Sequence, residues 1–241
     1  SQAAPSPPTN EAAASRGATM LRDAWLVATK DLQIEWRSRV TFGQVVPFAG
    51  LVLVLFGFAL DANRPVLLQA TSGLFWVTIM FVSTLAVQRS TSIETTDGAR
   101  RALLLAGIEP PAVFVGKSIA VAVQLLVVEI VLLIGVVVLY SADIEAWGLV
   151  FATCLIATVG IAAAGTLLGA LVAGVRARET VLPILLLPVL APVLIGATRA
   201  FDDALGSVAV DGWSWLGLLA GFGVINVVLG ALAYGVLLEE T

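Results

Sequence analysis

The 241-residue chain has no histidine and a single cysteine, Cys154. Without an imidazole it cannot build a Ser–His–Asp triad, a histidine-ligated zinc site or a histidine-ligated haem from its own side chains. A lone cysteine forms no intrachain disulfide and says little about redox compartment. Inside an apolar stretch it reads as a small filler. Charge is scarce, with Asp, Glu, Lys and Arg making up 12% of the residues, and no basic face is offered to nucleic acid. A phosphate-cradling loop is also missing. Gly116–Lys117–Ser118 resembles the end of one, but the required first glycine falls on Pro111 and an apolar stretch follows. The chain is therefore a poor enzyme candidate, and any ATP its process uses is bound by another polypeptide.

What the chain has is apolar length. Its hydrophobic fraction is 59% and its mean hydropathy +1.00. Six apolar stretches lie at about 41–60, 66–88, 118–140, 147–173, 180–198 and 213–238. Each approaches the ~20 residues that a helix needs to cross a hydrocarbon core of ~30 Å. The runs are continuously apolar and not alternating, which selects helices over a barrel. The expected fold is an all-α integral membrane protein with six transmembrane helices, its permease domain spanning 41–241.

The cations set the orientation. Arg16, Arg22, Lys30, Arg37 and Arg39 precede the first span; Arg89, Arg100, Arg101 and Lys117 lie between spans two and three; Arg176 and Arg178 lie between spans four and five. The other side carries Arg64 and Arg199. The positive-inside rule places both termini in the cytoplasm, and the even number of spans agrees. The net charge of −4 does not oppose this, because Asp and Glu contribute little to topology.

Residues 1–19 are poor in large apolar groups and are expected to be disordered. They lack the apolar core of a signal peptide, and Met20 is a candidate start. Over 20–40 an amphipathic helix is expected, with Leu21, Trp25, Ala28, Leu32 and Trp36 on its apolar stripe. Two Trp on that stripe suit the headgroup level, so this helix reads as an elbow on the cytoplasmic leaflet. Between spans two and three, Asp97 is a good N-cap, Gly107 a good C′ residue, and Pro110–Pro111 forbid continuation. A short helix is expected within 97–107. Asp97, Gly98, Arg100, Arg101 and Leu104 would dock it to a cytoplasmic protein, or it rests on lipid.

Within the spans, Glu129 is the one deep charge. A carboxylate there costs about 2.5–3.5 kcal/mol on insertion scales. Two roles fit: proton or substrate handling, or a neutral Glu hydrogen-bonded to another helix. Pro183, Pro188 and Pro192 make span five the candidate bent, pathway-lining element. Gly165 with Gly169, and Gly217 with Gly221, form small-residue pairs suited to close helix packing or a dimer face.

An elbow, six spans, a connector helix between spans two and three and no nucleotide site resemble an ABC-2-like permease subunit of an ABC transporter. More narrowly, the chain is similar to the CcmB family, haem exporter B of cytochrome c maturation. The resemblance covers about 20–240 and is carried by Asp97–Gly98, Pro111, Lys117, Leu182–Pro183, Pro188 and the run from Pro192 to Ala200. Gln88 and Arg101 depart from it, standing where some relatives are acidic.

The resemblance implies a bacterial inner-membrane subunit that binds no cofactor of its own, with 97–107 as its coupling helix. The implied partners are a CcmA-type ATPase that holds ATP and Mg, a CcmC-type haem-handling membrane protein, a CcmD-type small protein and a CcmE-type haem chaperone. Membrane lipid is a further partner, and haem the cargo. Arg64 and Arg199 are then candidate contacts for haem propionates. Alternatives are an exporter permease for lipid, polysaccharide or drug, and a scaffold that positions haem proteins without moving. Labelling or protease mapping is expected to find the 89–117 connector on the cytoplasmic side. Exposure on the outer side would separate it from any ATPase.

Overall fold

The computed structural model describes residues 10–39, 41–60, 63–96, 107–175 and 177–240. Seven α-helices occupy them: α1 (Asn10–Ser38), α2 (Val46–Leu60), α3 (Arg64–Thr96), α4 (Pro110–Leu139), α5 (Trp147–Val172), α6 (Arg178–Ala204) and α7 (Gly212–Glu240). Helices α2 to α7 are long and apolar enough to cross a membrane, α2 together with the π-helical turn Thr41–Val45 that leads into it. The chain is an all-α, multi-pass membrane protein. The expected docking helix, with Asp97, Gly98, Arg100, Arg101 and Leu104, lies outside the described residues, as does Arg176.

Several boundaries move. The first helix begins at Asn10, inside the segment expected to lack structure, where Glu11 and the alanines at 12–14 are good helix formers. It ends at Arg39, whose φ of 54 turns the chain toward α2. The third membrane helix begins at Pro110, about two turns before the expected 118. Pro110 and Pro111 sit at its first positions, where a missing N–H costs nothing and the fixed φ suits a helix. Hydropathy alone hid this turn because Lys117 interrupts the apolar run.

The bundle is held by close contact, since lipid is as apolar as Leu and burial gives little force between helices. Glycines make that contact possible. A Cβ on Gly165 would come within 2.4 Å of Val87 Cγ2, and one on Gly169 within 2.5 Å of Thr91 Oγ1, so this pair seats α5 on α3. Gly160 and Gly223 bring α5 and α7 together backbone to backbone. The second pair behaves otherwise: Gly217 and Gly221 have nothing within 4 Å and face outward. The core centres on Phe75 and Trp76 of α3 against Phe201 of α6, with ring centroids 4.8 and 5.2 Å from Phe201.

Several threonines inside the spans are satisfied locally. Thr71, Thr78, Thr84 and Thr91 each donate to the carbonyl four residues earlier, as side chains do when no water is at hand. At the end remote from the connector, the buried Tyr140 hydroxyl donates to Leu53 O at 2.9 Å and ties α2 to α4. The backbone amides of Glu145 and Ala146 donate to Ala204 O, joining the α4–α5 loop to the end of α6.

The two glycine pairs predict opposite outcomes. Gly165→Leu must displace Val87 and should cost about 1–3 kcal/mol by overpacking. Gly217→Leu should leave thermal unfolding of the purified chain in detergent unchanged.

Candidate functional site

The first helix packs against the bundle. Ala24, Val27, Ala28, Asp31 and Glu35 form its buried face, at spacings of three and four. The expected tryptophan stripe looks the other way, with Trp25 61% and Trp36 71% exposed. Small residues on the buried face let α1 lie directly on α4. A Cβ on Gly116 would come within 2.5 Å of Ala24 O and 2.7 Å of Val27 Cβ.

Beside that contact lie five ionisable groups. Lys117, 3% exposed, sits 3.5 Å from Asp31, itself 6% exposed. Lys30 is 3.0 Å from the other Asp31 oxygen. Arg89 Nε of α3 lies 2.7 Å from buried Glu35. One helix is thus clamped to the two helices that bracket the 97–107 connector. Arg89 lies seven residues before Thr96 and Lys117 seven residues after Pro110, each about 10 Å along its helix. A charge buried this way is tolerable only when paired, and removing one partner typically costs about 3–5 kcal/mol.

Sequence reading counted Arg89 as a topological charge and Lys117 as that and as part of the family resemblance, and did not single out Asp31 or Glu35. The signal was their i, i+4 spacing on the face that carries Ala24, Val27 and Ala28. The tripeptide around Lys117 also gains a structural use: Gly116 admits α1 and Lys117 pairs with it. At the same end, the Gln88 amide donates to Glu179 O at 2.8 Å, joining α3 to the start of α6. A cavity of about 450 Å³ lies there, lined by Gln88, Arg89, Ser92, Glu179 and Leu182.

Glu129 is 2% exposed and points from α4 to α5, where Thr158 Oγ1 donates to its Oε1 at 2.5 Å. The Cys154 thiol, one helical turn from Thr158, lies beside the same carboxyl. Oε2 is buried and takes no hydrogen bond among the described residues. Cys154 is therefore more than filler, since it shares the surroundings of the deep carboxyl.

The remaining candidates are scattered. Pro183, Pro188 and Pro192 lie within α6, which stays helical through all three. Pro188 and Pro192 are exposed, opposite the buried face of Leu182, Leu186, Leu190 and Val193. Arg64 Nη2 donates to Tyr140 O at 3.1 Å. Arg199 lies 3.6 Å from Asp202. No contact joins Arg64 to Arg199 among the described residues. Neither do the described residues contain a cluster of metal-ligating side chains.

Comparison with known proteins follows this geometry. The family described as "CcmB protein" matches residues 22–240. "Heme exporter protein B" of Haemophilus influenzae is 24% identical over 209 residues, covering 87% of this chain and 89% of the relative. The protein of the same name from Rhodobacter capsulatus is 26% identical over 203 residues, covering 83% and 91%. That from Escherichia coli K12 is 28% identical over 209 residues, covering 84% and 93%.

Glu129→Gln should fold and unfold as the parent does, because the amide oxygen still accepts from Thr158. Thr158→Val should cost about 1 kcal/mol, the weight of one hydrogen bond. Thermal unfolding in detergent reads both. A Gln variant as damaged as Glu129→Ala would show that the ionised carboxylate is required.

Proposed function

The chain belongs to the CcmB family, and from that premise we propose that it is a membrane permease subunit of an ATP-driven complex that exports or delivers haem for c-type cytochrome maturation. The observation that carries this reading is the similarity, over nearly their whole lengths, to proteins named heme exporter protein B. The subunit sits in the bacterial inner membrane with both termini cytoplasmic, as the arginine and lysine distribution supports. It is not itself catalytic. A CcmA-type ATPase supplies hydrolysis, a CcmC-type membrane protein handles haem beside a CcmD-type small protein, and a CcmE-type chaperone receives haem.

In this reading Asp97, Gly98, Arg100, Arg101 and Leu104 meet the ATPase. Their movement passes into α3 and α4, which flank them. The pairs Glu35–Arg89 and Asp31–Lys117 bind both helices to α1, so a displacement of the connector reaches the first helix as well. Such a coupling needs an element with two arrangements, and the proline-bearing α6 is the candidate. Glu129 is a candidate intramembrane functional group. Arg64 and Arg199 keep exposed surface and are the candidate contacts for haem propionates.

Asp97→Lys should weaken co-purification of the ATPase while leaving membrane insertion intact. The same gently purified complex should carry haem absorbance. Unchanged co-purification removes Asp97 from the docking role. A haem-free complex that purifies with enzymes of lipid or polysaccharide export favours the exporter reading.

A further inference from the structure

A second cavity, about 370 Å³, opens between α1, the start of α2, α3 and α4. One end is polar, at the Glu35–Arg89 pair, and the Gln44 and Gln124 side chains also line the cavity. The other is apolar, lined by Phe48, Val82, Leu85 and Val128. Along α3 the change runs from Arg89 to Val82, a distance of about 10 Å into the span. The cavity is not sealed inside the bundle. Phe48 is 41% and Leu85 46% exposed, so its side faces the surroundings of the spans, which in a membrane are lipid chains.

A polar end beside the amphipathic helix and an apolar trough running into the span match one molecule type, an amphiphile standing in the bilayer. Charge narrows the class. Arg89 Nε lies 2.7 Å from Glu35 Oε2, and these two are the charged residues lining the cavity. The polar end therefore carries a cation and an anion side by side and sums to zero. A headgroup with one phosphate and one ammonium adds no net charge to it. It can set phosphate oxygens against Arg89, with its ammonium toward Glu35. A purely anionic headgroup, or a porphyrin with two carboxylates, would place uncompensated negative charge beside buried Glu35.

We propose that this groove binds one zwitterionic phospholipid, its phosphate at Arg89 and an acyl chain along Phe48, Leu85 and Val128. The bound lipid would be a fixed part of the joint between the first helix and the bundle. This inference stands apart from the haem-export reading and does not depend on it.

The test reconstitutes the full chain in vesicles of phosphatidylethanolamine and phosphatidylglycerol in equal amounts. A trace of one or the other carries a photoactivatable acyl chain, and the labelled peptides are mapped by mass spectrometry. The phosphatidylethanolamine probe should mark the segments around Phe48, Leu85 and Val128 in preference to the phosphatidylglycerol probe. Leu85→Trp, which fills the trough, should lower that labelling about tenfold. The double variant Glu35→Gln/Arg89→Gln keeps the shapes and removes both charges, and should make the two probes label equally. The proposal falls if the probes label the parent equally or if Leu85→Trp leaves the labelling unchanged. It also falls if added haemin displaces the lipid probe from the parent, which would make the groove a porphyrin site. A Leu85→Trp chain that fails to insert leaves the decision to the probe preference in the parent and its loss in the double variant.

Discussion

Buried charge must find opposite charge, and at one end of this bundle that requirement decides where the first helix lies. Asp31 and Glu35 have left water on the inner face of α1, where Lys117 and Lys30 beside Asp31 and Arg89 beside Glu35 offset the loss. The small side chains of Ala24, Val27 and Ala28, with the bare Gly116 backbone opposite, bring the helices close enough for those pairs to form. Without the pairs, α1 would be an amphipathic helix free to lie on any interface. With them it is part of the membrane bundle, and its tryptophans are turned outward.

The consequence is mechanical. Helices α3 and α4 are consecutive, and the connector between them is the segment proposed to meet an ATPase. Both are gripped near that connector by the same helix. Close glycine contacts then carry the constraint onward, from α3 to α5 through Gly165 and Gly169, and from α5 to α7 through Gly160 and Gly223. At the far end, Tyr140 and the loop contacts at Ala204 O hold the helices.

Hydropathy made the six spans legible, because crossing a membrane imposes length and apolarity on each helix. The amphipathic first helix was legible from its spacing of three and four. Its packing face was not. The expected stripe of Leu21, Trp25, Ala28, Leu32 and Trp36 meets the packing face at Ala28, whereas the rest of that face is small or acidic and looks solvated until its partners are known. The start of α4 was misplaced for the same reason: Lys117 reads as a loop cation and is a buried partner. Glu129 was visible as a deep charge, but its acceptance from Thr158 is a relation between distant positions that spacing does not encode. Of the two glycine pairs, identical as motifs, one packs inside the chain and the other faces out, and only the fold separates them.

The most direct test of the clamp is a double-mutant cycle between Asp31→Asn and Lys117→Met, read by thermal unfolding of the purified chain. If the two groups hold α1 through their mutual attraction, each single change is strongly destabilising and the pair together costs less than the sum, with a coupling of at least about 1 kcal/mol. Losses that add to within about 0.5 kcal/mol would contradict the account and return the first helix to the membrane surface.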